Sequence, residues 1–87
     1  MKAMNEKLRI YNRTKEMHED RVLLFSDDEN YEAYGVDALV VADVLNLNPT
    51  EVDDTPLQMV AFPKSNLYEY LPQLERVGHK VAISHFD

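Results

Sequence analysis

The triplet Asn30-Tyr31-Glu32 carries two side chains that can hydrogen-bond a ligand, at alternate positions directly after the acidic run 27–29. The tyrosines at positions 31 and 34 favour a β-strand here. Residues two apart on a strand lie on the same face of the sheet, so Asn30 and Glu32 can approach one ligand together while Tyr31 points to the other face. The triplet therefore either contacts a ligand through polar groups or merely caps an acidic surface hairpin.

Other residue patterns in the chain do not predict catalysis or a metal site. The acidic run 27–29 lacks the spacing of a calcium-binding loop, so we expect a solvated turn over Ser26 to Glu29. His18, His79 and His85 are too far apart for the paired ligands of a zinc site. Cysteine, a Gly-x-Ser-x-Gly sequence and a glycine-rich phosphate loop are all missing. We therefore expect no metal, no cofactor and no enzymatic activity.

The distribution of charge argues against strong binding to nucleic acid. The net charge is −7, and no Lys or Arg occurs between Arg21 and Lys64. Residues 1–25 carry a net charge of +2, whereas residues 26–87 carry −9. Lys and Arg supply most of the non-specific affinity for DNA, so only a small local patch can contribute. The candidate phosphate contacts are residues on the basic N-terminal helix and one lysine further on: Arg9, Arg13 and Lys64.

Length and composition predict one small soluble domain covering residues 1–87. The chain is 45% hydrophobic and 29% charged, which is ordinary for a globular fold. It has no apolar run of the ~18 residues that a membrane-spanning helix needs. The polar, mixed-charge N-terminus is not typical of a secretory signal, so we expect a cytoplasmic protein without membrane contact.

Hydrophobic periodicity predicts an α/β fold, in which a mixed β-sheet is flanked by helices. Met4, Leu8 and Tyr11 form one stripe of the first helix. Residues 46–56 are polar and contain two prolines, which indicates a loop, and Ser65 or Asn66 is the expected cap of the last helix. The predicted helices are 5–17, 36–45 and 65–77, and the predicted strands lie near 22–25, 30–34, 57–62 and 79–84.

The order of these elements resembles the N-terminal mismatch-recognition domain of the MutS family of DNA repair proteins. Six positions match the family pattern Gly-x-Asp-Ala-x-x-x-Ala-x-x-Leu-x-Leu, namely Gly35, Asp37, Ala38, Ala42, Leu45 and Leu47. Further matches are the segments 22–25, 60–63, 70–74 and 78–83. The resemblance covers Tyr11 to about Ile83 and implies the same fold, with double-stranded DNA as the partner. It also implies that the region 46–56, which reads as a loop, can carry an additional strand.

The resemblance also assigns Asn30 and Glu32 as the DNA-contacting positions. In the family the triplet reads Phe-x-Glu, where the Phe wedges beside a mispaired base and the Glu hydrogen-bonds it. Asn30 stands where the Phe is expected, so we expect weak or lost mismatch discrimination and weak DNA binding in isolation. Without a wedge to dock a base, Glu32 is expected to be an ordinary solvated side chain. Two further departures are Asp28-Glu29 in place of Gly-Asp and Ser65 in place of a frequent His.

Two other interpretations remain open at this stage. The lysine-free stretch from Val22 to Pro63 is also typical of an acidic protein-interaction module that binds a basic partner and no DNA. A third hypothesis is a degenerate structural domain within a longer polypeptide.

Overall fold

A computed structural model describes residues 4–52 and 57–86, and it shows a five-stranded mixed sheet with helices on both faces. The elements in chain order are α1 (Met4–Met17), β1 (Arg21–Asp27), β2 (Asn30–Tyr34), α2 (Gly35–Leu45), β3 (Thr50–Glu51), β4 (Gln58–Pro63), a 3₁₀ turn (Lys64–Asn66), α3 (Leu67–Arg76) and β5 (Lys80–His85). The strand order is β3-β4-β2-β1-β5. Among the described strands, β1 and β5 pair in parallel and the other three pairs are antiparallel. The α/β prediction is confirmed.

The alternation of side chains along β1 divides the apolar residues between two cores. Val22 and Leu24 face α2 and α3, whereas Leu23 and Phe25 face α1. The first core contains Val22, Leu24, Ala33, Ala38, Val41, Leu45, Val60, Phe62 and Leu74. The second contains Tyr11, Leu23, Phe25, Tyr34, Val52 and Phe86, with Met4, Leu8 and Ile10 of α1 packed against it. The continuous apolar run of β1 is thus buried because both faces of this strand are covered.

A tight hairpin joins β1 to β2. Asp27 pairs with Asn30, so the loop consists of Asp28 and Glu29 alone. Asp28 adopts a left-handed conformation with φ of 52°, which Asp tolerates better than most residues. The predicted acidic turn is therefore shorter than expected, because Ser26 and Asp27 belong to β1.

Three local predictions differ from the structure. The loop predicted at 46–56 contains β3, whose two exposed residues pair with Met59 and Gln58 of β4. The last helix begins with the 3₁₀ turn and ends at Arg76. Neither predicted cap makes a capping hydrogen bond; Asn66 instead donates its side-chain amide to the hydroxyl of Tyr70 at 3.5 Å. Residues 53–56 lie outside the described residues.

Candidate nucleic-acid interface

The hairpin brings Asn30 and Lys64 together at one end of the sheet. Asn30 is exposed at the start of β2 and pairs with Pro63 at the end of β4. The backbone N–H of Lys64 donates to the carbonyl of Glu29 at 2.9 Å, which fastens the hairpin tip to the 3₁₀ turn. The Lys64 ammonium lies 5.8 Å from the centroid of the Tyr31 ring. One exposed amide and one half-buried cation therefore lie at the same end of the sheet beside the acidic tip, with the cation on the face of Tyr31 and the amide on the other face.

Glu32 lies on the same face as Asn30, but its carboxylate is turned toward α1. Its side chain is only 12% exposed. The same oxygen, Oε1, accepts hydrogen bonds from the Lys7 ammonium at 3.0 Å and from the Tyr34 hydroxyl at 2.7 Å. The expectation of a solvated Glu32 was wrong, because strand alternation points it at a helix that contributes a buried cation.

Lys7 is the centre of this buried polar group. Its ammonium donates to Asp27 Oδ2 as well as to Glu32, and its side chain is 6% exposed. The ammonium also lies 5.2 Å from the ring centroid of Phe86. Burial alone lowers the pKa of Lys7, but the hydrogen bonds and charges of Asp27 and Glu32 outweigh it and raise the pKa above its ordinary value. Lys7 is therefore charged at neutral pH.

A second buried carboxylate holds the other end of α1. Asp37, in the first turn of α2, accepts hydrogen bonds from the Tyr11 hydroxyl at 3.0 Å and from the Lys15 ammonium at 2.9 Å. Lys15 also donates to the carbonyl of Arg21 at 2.6 Å. Helix α1 is thus attached to β1 and β2 by the Lys7 group and to α2 and the start of β1 by the Asp37 group, in addition to its apolar contacts.

Both buried tyrosine hydroxyls are held in the neutral form. Burial raises the pKa of Tyr34, and the hydrogen bond to Glu32 with the charges of Glu32 and Asp27 raises it further. Burial likewise raises the pKa of Tyr11, followed by the charge of Asp37 and its hydrogen bond. A phenolate at either position would face a carboxylate within the protein.

Alkaline pH is expected to destabilise the domain through Lys7, Tyr11 and Tyr34. The folded state raises each pKa above the ordinary value, which is 10.5 for lysine and 10.0 for tyrosine. Above about pH 10 the unfolded chain binds fewer protons than the folded one, so the free energy of unfolding falls as pH rises. The slope is about 1.4 kcal/mol per pH unit for each such group. The stabilisation that these three groups contribute is fully present below about pH 10, and it is lost as the pH rises through their pKa values in the folded protein.

Tyr34→Phe tests this pH dependence, because it removes one group whose pKa is raised in the folded protein. Urea unfolding at a series of alkaline pH values should give a shallower dependence on pH for Tyr34→Phe than for the wild type. Tyr68→Phe is the matched control, since Tyr68 is 92% exposed and should leave the dependence unchanged. Identical slopes for the wild type and both variants would contradict the assignment.

The structure does not bring Arg9 and Arg13 beside Asn30. Both are exposed, and they share one side of α1 because they are four residues apart. Lys7 is two positions before Arg9, about 200° around the helix, so the arginines point away from the sheet. Of the candidate phosphate contacts, Lys64 alone lies at the hairpin.

Sequence reasoning missed Lys7 and Tyr34 as the donors to Glu32, and Asp27 as the second carboxylate that accepts from Lys7. A signal was present: Lys7 lies within the stripe of Met4 and Tyr11, three residues after the first and four before the second. A lysine on the apolar side of a helix needs a buried acid or a path to solvent. The sequence does not show which acid it meets.

Among the residues that the structure describes, no group of three or more His, Cys, Asp or Glu side chains is arranged to hold a metal ion. Within 4–52 and 57–86, no helix has the length and apolar character needed to cross a membrane.

Comparison with known proteins decides the family. The family model for MutS domain I matches residues 6–85. The chain belongs to the MutS domain I family. It is 42% identical over 73 residues to the DNA mismatch repair protein MutS of Thermotoga petrophila, covering 84% of this chain and 9% of that protein. This confirms the resemblance drawn from the triplet and the scaffold positions.

Two further MutS relatives show the same extent of similarity. The DNA mismatch repair protein MutS of Porphyromonas gingivalis is 37% identical over 79 residues, which is 87% of this chain and 9% of that protein. The corresponding protein of Bacteroides fragilis is 38% identical over 72 residues, which is 79% of this chain and 8% of that protein. The chain therefore spans less than a tenth of the length of these relatives.

Proposed function

We propose that this chain is a DNA-contacting domain of mismatch-repair type that binds duplex weakly and discriminates poorly between mismatched and matched DNA. The observation that supports this most is the state of the probing triplet. Asn30 presents an amide at the exposed end of β2, and Glu32 is engaged by Lys7 and Tyr34. Neither residue is then equipped for the role that the family assigns to it.

Asn30 lacks the ring that a wedge requires. Stacking of an aromatic side chain on a base contributes about 1–3 kcal/mol, and inserted apolar side chains offset the cost of unstacking a base step. Tyr31 does not replace the ring, because it lies on the opposite face and packs against Phe62 at a centroid distance of 5.8 Å. The hairpin thus offers hydrogen bonds to DNA and no stacking.

Electrostatics limits the affinity further. The hairpin tip carries Asp28 and Glu29, both exposed, beside Lys64. We propose Lys64 as the phosphate contact next to Asn30, with Arg9 and Arg13 as contacts only for a strand that passes over the outer side of α1. With Lys64 as the main phosphate contact and a net charge of −7, few counterions are released, so binding should be weak and should fall only modestly as salt rises.

Asn30→Phe is expected to create a preference for mismatched duplex. The wild-type chain should bind labelled duplexes with and without a G·T mismatch with Kd values within about twofold of each other. Asn30→Phe should tighten binding to the mismatched duplex by about tenfold, because stacking contributes about 1–3 kcal/mol and a mismatched step is easier to unstack. Fluorescence anisotropy at low and moderate salt measures both values.

Asn30→Ala is the matched control for this experiment, since it removes the amide without adding a ring. It should leave the ratio of the two Kd values unchanged. A wild-type preference of about tenfold or more for the mismatch, lost in Asn30→Ala, would show that Asn30 itself reads the lesion and would refute the proposal.

A second candidate function is an acidic protein-interaction module on the same scaffold. The exposed Asp28, Glu29 and Asp43 and the lack of Lys or Arg between Arg21 and Lys64 favour a basic partner. Recovery of a basic protein from native lysate, competed by salt and reduced by Asp28→Asn/Glu29→Gln, would support this candidate. Recovery of nucleic acid alone would reject it.

We further propose that residues 1–87 act as one domain in the cytoplasm, as a binding module and not as an enzyme. Among the described residues, fifteen of the sixteen buried apolar side chains belong to the two cores on either face of one sheet, which supports one folding unit. In the part of the chain that the structure describes, the buried charged side chains are Lys7 and Asp37, and both are engaged in structural hydrogen bonds.

A further inference from the structure

Glu32 is held on the inner side of the domain by two donors that belong to different elements. Lys7 reaches it from α1 and Tyr34 from the same strand, and both bonds end on Oε1. We propose that Lys7 is a positioning residue that keeps the Glu32 carboxylate directed toward α1 and so withholds it from a DNA base at the hairpin. The inference rests on the proposed function, since it concerns how the same surface meets DNA.

The geometry makes Lys7 the stronger of the two donors. Hydrogen bonds between an ammonium and a carboxylate are charge-assisted and about twice as strong as neutral ones. The Lys7 ammonium is also close to the Phe86 ring, so it has little freedom to follow Glu32 outward. The Lys7 ammonium is also held by its hydrogen bond to Asp27. This bond is possible because the pairing of β1 with β2 places Asp27 and Glu32 on the same face of the sheet.

Competition for the carboxylate follows from this arrangement. A DNA base can hydrogen-bond Glu32 only after the carboxylate has left Lys7. The buried Lys7 ammonium would then keep Asp27 as its one carboxylate partner. Losing a hydrogen bond to a charged group reduces an equilibrium constant by about tenfold or more. A ring restored at position 30 would therefore regain stacking without regaining the contribution of Glu32.

Nuclear magnetic resonance of the free chain tests the positioning directly, without DNA. The Lys7 ammonium should show a through-hydrogen-bond coupling to the Glu32 carboxyl carbon, and its protons should exchange with water more slowly than those of the exposed Lys80. Lys7→Arg, which retains the cation, should leave the Glu32 carboxyl chemical shift close to that of the wild type, whereas Lys7→Met should move it. Fast exchange and no coupling in the wild type would overturn the inference.

A DNA titration tests the consequence in the Asn30→Phe background. Adding Lys7→Met and Asp27→Asn together removes one positive and one negative charge and leaves the neutral Tyr34 hydroxyl as the remaining donor to Glu32, so the carboxylate turns outward more easily. The preference for a G·T mismatch should rise about two- to tenfold over Asn30→Phe alone, and Glu32→Gln should abolish that gain. Adding Lys7→Arg instead should leave the preference at the level of Asn30→Phe.

The two experiments separate this inference from the proposed function. An unchanged mismatch preference in the triple variant, with circular dichroism showing a folded protein, would overturn the positioning role while leaving the weak discrimination of the wild type intact. Failure of every variant to bind duplex would refute the DNA-contacting function. If no variant binds duplex, or if the triple variant does not fold, the positioning role is tested by the resonance measurements on the wild type and Lys7→Arg. Coupling between Lys7 and Glu32 would support the role, and its absence would overturn it.

Discussion

Asp37→Ala is expected to lower the free energy of unfolding by about 3–4 kcal/mol. Asp37 is 2% exposed and is the shared acceptor for the Tyr11 hydroxyl and the Lys15 ammonium. Its removal leaves a buried hydroxyl without its acceptor, at about 1–3 kcal/mol, and breaks a hydrogen bond to a charged group worth about 1.5–3 kcal/mol. The substitution also removes a carboxylate from the first turn of α2, where the helix dipole favours negative charge.

Urea unfolding followed by circular dichroism at neutral pH measures this loss. Asp43→Ala is the matched control on the same helix, because Asp43 is exposed and its loss should change stability by no more than about 0.5 kcal/mol. Asp37→Asn keeps an acceptor for the Tyr11 hydroxyl, so its free energy of unfolding should lie between those of Asp37→Ala and Asp43→Ala. Equal stability of Asp37→Ala and Asp43→Ala would show that the Asp37 group contributes nothing to the attachment of α1.

Lys7→Met is expected to lower the free energy of unfolding by about 3 kcal/mol. The substitution preserves the length of the side chain but leaves Asp27 and Glu32, 13% and 12% exposed, without their shared cation. Removing one partner from a buried ion pair typically costs about 3–5 kcal/mol, and the residual exposure of the two acids places this case at the lower end. Arg9→Met, on the exposed side of the same helix, should change stability by no more than about 0.5 kcal/mol.

A double-mutant cycle shows whether the loss arises from charge. Lys7→Met/Asp27→Asn should be more stable than the sum of the two single changes predicts, by about 1 kcal/mol or more, because the second change removes an acid that has lost its cation. Strict additivity of the two changes would mean that Lys7 contributes through the packing of its stem and not through its ammonium.

The chain's own pattern determined the family and most of the local structure. The apolar run from Val22 to Phe25 required a strand covered on both faces, and the acidic residues before Asn30 required a turn. Alternation along β2 correctly placed Asn30 and Glu32 on one face, since that rule is local to a strand. The triplet, the scaffold positions from Gly35 to Leu47 and the matching segments along the chain together indicated MutS domain I, and the family model confirms it.

Only the tertiary structure decided what the inner face of β2 meets. Lys7 is 25 residues from Glu32 along the chain, and helix periodicity alone gives no distance between them. The pairing of Thr50 and Glu51 with β4 also depends on a long-range neighbour, because two exposed polar residues carry no strand signal of their own. Local rules fix which way a side chain points from its own element, whereas the packing of elements against one another fixes its partner.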